Sequence, residues 1–297
     1  MTRVSLMSRT RFLDKSLLAI ARMAEQSLFS EMYARKAGLL QAIDPRIKLI
    51  SFLGVIIVIS FLHTIPSLWT VYGAGLVLAV FSRVPLVFYQ KRVWLFVPLF
   101  TAAIVIPALF NIVTPGDPIW VLYTLERAHT WGPYTIPAEI AVTRQGLWGA
   151  ITFVSRVAAS VSFAVLFTLT TKWSAAFAGL RALFVPRIFV MTLSMTERYI
   201  FLFLRLIQDM YLARKSRTIR PLSAAMDRNW TASRIGFTFK KSRDLSDDVF
   251  RAMLSRGFHG EFHSLDRLHA KPIDYAWLVT VLLVSGIVLL LERGLVR

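Results

Sequence analysis

The hydrophobic and polar positions of this chain alternate on the scale of whole helices. Long apolar runs occupy residues 49–62, 68–81, 93–113, 146–171 and 273–291. A helix that crosses a bilayer needs about 20 apolar residues, and the first two runs are shorter. Basic residues flank this pair, whereas the break between them contains only His63 as a titratable group. We therefore predict a hairpin that crosses a membrane out and back, in an all-α integral membrane protein of about five transmembrane helices.

The polar segments between the runs differ in charge, and this difference predicts the side of the membrane on which each lies. Residues 172–271 carry 18 Lys and Arg against eight Asp and Glu, and such basic segments stay in the cytoplasm. Residues 114–145 lack a basic excess and begin with Pro-Gly turn chemistry, so we expect an outer loop there. Residues 1–48 are basic, and apolar residues from Leu13 to Leu28 recur at helical spacing, which is typical of a helix on an anionic membrane surface.

These boundaries divide the chain into four parts. They are a cytoplasmic or interfacial segment at residues 1–48, four transmembrane helices with the outer loop at 49–171, a basic, helical cytoplasmic region at 172–271, and a last transmembrane helix with a short tail at 272–297. Apolar residues make up 56% of the chain, the formal net charge is +18, and cysteine is absent. The hydropathy excludes a soluble secreted enzyme, and the lack of cysteine excludes disulfides and thiolate metal sites. Anionic lipid accounts for the positive charge, so we expect membrane lipid and no nucleic acid as a partner.

The sequence lacks the motifs of an autonomous enzyme or pump. It has no G-x-x-x-x-G-K-[ST] phosphate loop, no G-x-G-x-x-G turn, no H-E-x-x-H and no G-x-S-x-G. We therefore expect the chain itself to be neither an enzyme nor the holder of a cofactor. One cluster contains imidazole and carboxylate groups, at His259, Glu261, His263 and His269. Imidazole suits cobalt and nickel, but we interpret these side chains as solvated and expect no metal site.

Arg156 stands about ten residues into the fourth apolar run. An unpaired arginine at that depth costs roughly 2.5–3.5 kcal/mol on insertion scales, so its side chain must face protein or water. Two interpretations remain open, namely a contact with a partner membrane subunit and an internal structural pair.

Two amphipathic stripes in the basic region each end in an arginine. Their members recur at steps of three or four residues in two series: Ile200, Phe203, Ile207, Met210 and then Arg214; Ile235, Phe239, Ser242, Ser246, Val249, Met253 and then Arg256. Gly257 is expected to end the second helix. Such a stripe can fill a groove on another protein while the guanidinium pairs with a carboxylate at the groove's end. The alternative is an arginine that complements the helix dipole or touches lipid headgroups.

Several short motifs, taken in order, resemble those of the transmembrane T components of energy-coupling-factor (ECF) transporters. The residues before the first apolar run are similar to a motif of that family, and two later segments are similar to its two arginine motifs. Two further segments are similar to those of its CbiQ subgroup, which serves cobalt and nickel importers. These are Asp44-Pro45-Arg46-Ile47-Lys48-Leu49, Ala213-Arg214-Lys215, Ala252-Met253-Leu254-Ser255-Arg256-Gly257-Phe258, Ile106-Pro107-Ala108-Leu109-Phe110-Asn111 and Thr168-Leu169-Thr170-Thr171.

The resemblance implies a role and a set of partners. Such T components lie in the cytoplasmic membrane of bacteria and archaea and link two ABC-type ATPases, which bind ATP and Mg, to a separate substrate-binding membrane subunit, the S component. By position, Arg214 and Arg256 are the arginines expected to contact the ATPases, with Ala213 and Ser255 allowing close approach. Lys215 stands where the family often has a small residue, so Arg217 could share or take over the first contact.

Three alternatives stay open at this point. The chain could be a T component for vitamins, or an ordinary ABC permease that forms its own substrate path with one coupling helix per ATPase. It could also be a membrane enzyme acting on lipids, with Asp244, Asp247 and Asp248 as the nearest approach to an acidic cluster.

Overall fold

The computed structural model describes residues 33–95, 97–111, 113–124, 129–131, 134–136, 139–218, 223–260 and 271–295. The amphipathic segment predicted between Leu13 and Leu28 lies outside the described residues. The chain divides into two compact units. Of the described residues, those from 33 to 172 and from 271 to 295 form the membrane unit, and those from 173 to 260 form the basic unit.

Ten α-helices follow one another in the described part of the chain. They are α1 (Leu39–Ala42), α2 (Pro45–Phe61), α3 (Ile65–Phe81), α4 (Leu86–Trp94), α5 (Val97–Val105), α6 (Arg144–Thr170), α7 (Trp173–Leu180), α8 (Arg187–Arg217), α9 (Ala224–Ser255) and α10 (Pro272–Leu295). Short 3-10 turns follow α5 at Ile106–Leu109 and α7 at Arg181–Leu183. The predicted helical membrane fold is confirmed.

Three helical segments of the described chain are long and apolar enough to cross a bilayer, namely Leu86–Leu109, Arg144–Thr170 and Pro272–Gly294. The two helices of the predicted hairpin are present as α2 and α3, which have 17 residues each, and their crossing of a membrane out and back stays a prediction. At about 1.5 Å per residue, each is roughly 25 Å long, slightly less than a typical hydrocarbon core. Proline near the start of both helices and the side chain of Asp44 as N-cap of α2 account for where they begin.

The core of the membrane unit is built around α6, which packs against α2, α3, α4 and α5. Phe52 of α2 meets Phe163 of α6 edge to face, with ring centroids 5.7 Å apart. Gly75 lets α3 approach α6 closely, because a Cβ atom at this position would lie 2.7 Å from Ser162 Oγ. α10 packs on α2 and donates a hydrogen bond from Trp277 Nε1 to Ser51 Oγ over 3.0 Å.

The segment predicted as an outer loop contains short β-strands, which the sequence reasoning did not anticipate. β1 (Pro118–Thr124) pairs antiparallel with β4 (Glu139–Thr143), and β2 (His129–Trp131) pairs with β3 (Tyr134–Ile136). β1 reads Pro-Ile-Trp-Val-Leu-Tyr-Thr, and its β-branched and aromatic residues favour an extended chain. The side chain of Thr143 then accepts from Gly146 N over 3.1 Å and caps α6.

Two long helices dominate the basic unit. α8 has 31 residues and α9 has 32, so each is about 45–50 Å long at 1.5 Å per residue. The first predicted stripe, from Ile200 to Arg214, lies within α8, which continues without a break to Arg217. α9 begins at a Ser223 cap, whose side chain accepts from Met226 N over 3.3 Å.

Candidate functional site

The end of α8 and the beginning of α9 are joined by the guanidinium of Arg214. Arg214 Nη2 donates to Asp227 Oδ1 in an ion pair. The centre of the same guanidinium lies 4.2 Å from the centroid of the Trp230 ring, a cation–π distance. Trp230 also packs against Tyr211 of α8, with ring centroids 5.0 Å apart. The side chain of Arg214 is therefore only 9% exposed, and it is committed to contacts within its own unit.

The local sequence explains why this pair forms. Arg214 lies in the last turn of α8, and Asp227 lies in the first turn of α9. A cation near a helix C-terminus and an anion near an N-terminus each complement the helix dipole. The chain turns back between the two helices, so the two favourable positions become neighbours in space. Sequence reasoning identified Arg214 but missed Asp227 and Trp230, which lie before the second apolar stripe.

Arg217 has a different environment, although it stands only three residues further along. It is the last residue of α8 and is exposed. Its side chain makes no hydrogen bond, ion pair or ring contact with the residues that the structure describes. Ala213 and Ser255, the small residues next to the two motif arginines, are also exposed. The surface beside both motifs is thus open to close approach.

The second arginine motif closes α9 with a defined turn. Phe258 N donates to Met253 O over 3.1 Å and Gly257 N donates to Leu254 O over 3.0 Å, which is the Schellman arrangement. Gly257 has φ of +79°, a left-handed conformation that favours glycine. The turn leaves Arg256 at the helix end, exposed and without a side-chain partner among the described residues.

The two predicted stripes line one groove of about 440 Å³ between α8 and α9. Phe203, Ile207 and Met210 contribute from α8, and Ile235 and Phe239 contribute from α9. Ile235 is 66% exposed and Phe239 is 74% exposed. The groove is apolar and open, and the Arg214–Trp230 contact lies at the junction where the two helices meet.

The motif before α2 connects three helix ends of the membrane unit. Asp44 Oδ1 accepts from Arg46 N over 2.8 Å and caps α2, where Pro45 is the first residue. Asp44 N donates to Asp274 Oδ1 over 2.7 Å, and Lys271 N donates to Asp274 Oδ2 over 2.7 Å. The side chains of Asp44 and Asp274 are buried. This motif therefore holds the start of α2 against the start of α10.

Lys48 extends the same connection to α6. It is 1% exposed, and Lys48 Nζ donates to Thr170 O over 3.1 Å and to Thr171 Oγ1 over 3.0 Å. These acceptors are at the C-terminal end of α6, where a cation complements the helix dipole. Arg46 remains half-buried beside it. In this structure the motif is a junction of helices.

A second polar cluster lies at the opposite end of α2. Arg156 Nη2 donates to Leu62 O over 2.8 Å and lies 3.4 Å from His63 Nδ1. Glu292 Oε1 accepts from His63 N over 2.7 Å and from Thr64 N over 2.8 Å, at the start of α3. Arg156 thus has internal partners, and its contact with a second subunit stays a prediction. Sequence reasoning missed Glu292, which follows the last apolar run.

Within the described residues, no group of three or more His, Asp or Glu side chains could hold a metal ion. Of the histidine cluster considered above, His259 is exposed. Glu261, His263 and His269 lie outside the described residues.

A family model and a similar protein each match most of this chain. The family model CbiQ, described as cobalt transport protein, matches residues 37–265. An uncharacterized protein from Methanocaldococcus jannaschii is 35% identical over 285 residues, which cover 96% of this chain and 94% of the relative.

Proposed function

Because the chain belongs to the CbiQ family of cobalt transport proteins, we propose that it is the non-catalytic T component of an ECF-type importer. In this proposal it transmits motion from two ABC-type ATPases, which bind ATP and Mg, to a separate substrate-binding S component. The transported substrate is a cobalt or nickel ion. The chain crosses the cytoplasmic membrane of a bacterium or archaeon several times, with its N-terminus in the cytoplasm.

The observation that carries this proposal is the pair of helices in the basic unit. α8 and α9 are long, rich in Lys and Arg, and each presents an exposed arginine at its C-terminal end, at Arg217 and Arg256. An exposed guanidinium in line with an apolar stripe suits a pocket that offers a carboxylate. Two such ends in one chain suit two ATPase subunits.

The buried charges of the membrane unit favour a coupling subunit rather than a permease that forms its own substrate path. Among the described residues the buried charged groups of this unit, Asp44, Lys48, Asp274 and Glu292, all bind helix ends. A permease that forms its own path for a cation needs polar groups that can face that path. The groups seen here have structural partners, which favours a scaffold that moves with its partners.

Co-purification with an ATPase tests the proposal. A candidate ABC-type ATPase from the same genome, encoded beside this chain, is expressed together with tagged full-length chain and extracted in detergent. We expect wild type to retain the ATPase and Arg256→Ala to lose most of it, because truncating one partner of a buried interfacial ion pair costs about 2–5 kcal/mol. The control is Arg251→Ala, which removes another exposed arginine of α9 and should retain the ATPase.

Two results would contradict the proposal. Wild type that retains no ATPase excludes the coupling role. Equal retention by wild type, Arg251→Ala and Arg256→Ala means that the end of α9 does not make the contact.

A further inference from the structure

Three arginines stand at the C-terminal ends of the two long helices, and the structure divides them into two kinds. Arg217 and Arg256 are exposed and make no side-chain contact within the described part of the chain. Arg214 is 9% exposed and is held by an aspartate and an indole of its own unit. Its position in the sequence motif favours Arg214 as the arginine that contacts an ATPase in addition to Arg256. The exposed environment of Arg217 favours Arg217 for that contact.

The contacts of Arg214 leave little of its guanidinium for another protein. Nη2 is used by the Asp227 carboxylate, and one face of the guanidinium plane lies over the ring of Trp230. Nη1 is buried without a hydrogen-bond partner. An ATPase carboxylate could reach this group only by displacing one of these contacts or by uncovering the buried Nη1.

On the basis of the proposed coupling function, we propose that Arg214 is a positioning residue and that Arg217 makes the first contact with an ATPase. Arg214, paired with Asp227, holds the end of α8 against the start of α9. Arg217, the last residue of α8, then presents a free guanidinium to a carboxylate on the ATPase. Arg217 and Arg256 become the equivalent pair, one at the end of each long helix.

The geometry of the helix end agrees with this division of roles. Three residues along an α-helix turn the side chain by about 300°, so Arg217 lies on the face next to that of Arg214. Holding Arg214 against α9 therefore also fixes the direction in which Arg217 projects. Loss of the Arg214–Asp227 pair should misplace Arg217 without removing it. The effect of this loss on ATPase binding is therefore indirect.

Binding measurements on six variants separate the two roles. Full-length chain in detergent is titrated against the immobilised candidate ATPase, and the melting temperature of each variant is measured in parallel. Arg217→Ala should weaken binding about 30-fold or more, the equivalent of losing a buried interfacial charge pair, at unchanged melting temperature. Arg205→Ala, which removes another exposed arginine of α8, should bind as wild type does.

Variants of the ion pair provide the second half of the test. Arg214→Ala and Asp227→Ala should each lower both the affinity and the melting temperature of the basic unit, and the double variant should be no worse than either, because both remove the same contact. The exchange R214D/D227R should recover part of the affinity lost in either single variant, since it restores an ion pair between the two helices, although both charges then oppose the helix dipoles and the Trp230 contact is lost. An aspartate at position 214 cannot replace an arginine that contacts a carboxylate on the ATPase.

The outcomes are distinct. The inference is overturned if Arg217→Ala binds normally, or if the exchange keeps the melting temperature of wild type but still fails to bind. Wild type that does not bind the ATPase at all overturns the proposed function itself, and this is seen before any variant is made.

Discussion

Glu292 offers a direct test of how the membrane unit is held together. Its carboxylate accepts three hydrogen bonds at the start of α3: from His63 N over 2.7 Å, from Thr64 N over 2.8 Å and from Thr64 Oγ1 over 2.6 Å. The Glu292 side chain is 5% exposed. The substitution Glu292→Ala removes both acceptor oxygens and all three hydrogen bonds, and it leaves two backbone amides of a helix N-terminus without a partner.

The expected loss of stability follows from these contacts. Each buried amide left unsatisfied costs about 1–3 kcal/mol, and water can reach part of this helix end. We therefore expect Glu292→Ala to lower the free energy of unfolding by about 3 kcal/mol. Glu292→Gln keeps an acceptor for both amides and loses mainly the charge near the helix N-terminus, so it should cost only about 1 kcal/mol.

Thermal melting of the purified chain in detergent measures both effects. A loss of about 3 kcal/mol corresponds to a fall of roughly 6–12 °C in the melting temperature, and a loss of about 1 kcal/mol to roughly 2–4 °C. Arg293→Gln, at the exposed neighbouring position, is the matched control and should change the unfolding free energy by less than about 0.5 kcal/mol. The reasoning is refuted if Glu292→Ala has the melting temperature of wild type, or if Glu292→Gln lowers the melting temperature as much as Glu292→Ala does. In either case the carboxylate does not cap α3.

Two further substitutions test the packing of α2, α3 and α6 with the same melting assay. Lys48→Met removes the ammonium that binds the end of α6 and should cost about 2 kcal/mol, whereas Lys91→Met, at an exposed position, should be neutral; equal effects would argue against the cap. Gly75→Val places a Cβ atom 2.7 Å from Ser162 Oγ and should prevent recovery of a monodisperse protein. The control is Gly73→Val on the same helix, which should be recovered normally because a Cβ atom at this position meets open space.

The sequence predicted those features that depend on local periodicity. The helices α2 and α3, the long amphipathic α8 and the glycine turn after α9 all follow from residues close together in the chain. The strands near the end of the third apolar run were missed, although the segment Ile-Trp-Val-Leu-Tyr-Thr within β1 carries a β signal that could have been used.

The contacts between distant residues could not be predicted in this way. Lys48 belongs to a motif that was recognised, but its partners lie more than 120 residues away. A single acidic residue after an apolar run, as at Glu292, is typical of a charge at the membrane surface, and nothing local indicates its partners about 229 residues earlier. Asp227 likewise precedes the apolar stripe by which α9 was identified as a candidate. Its ion pair with Arg214 therefore became visible only in the folded structure.

The stoichiometry of the complex tests the coupling role most directly. Native mass spectrometry of the detergent-extracted assembly gives the number of copies of this chain and of the ATPase in one particle. If both arginine-ended helices of one chain engage ATPases, the particle contains one copy of this chain and two ATPase subunits. Two copies of the chain with two ATPases would indicate a permease with one coupling helix per ATPase and would contradict the account.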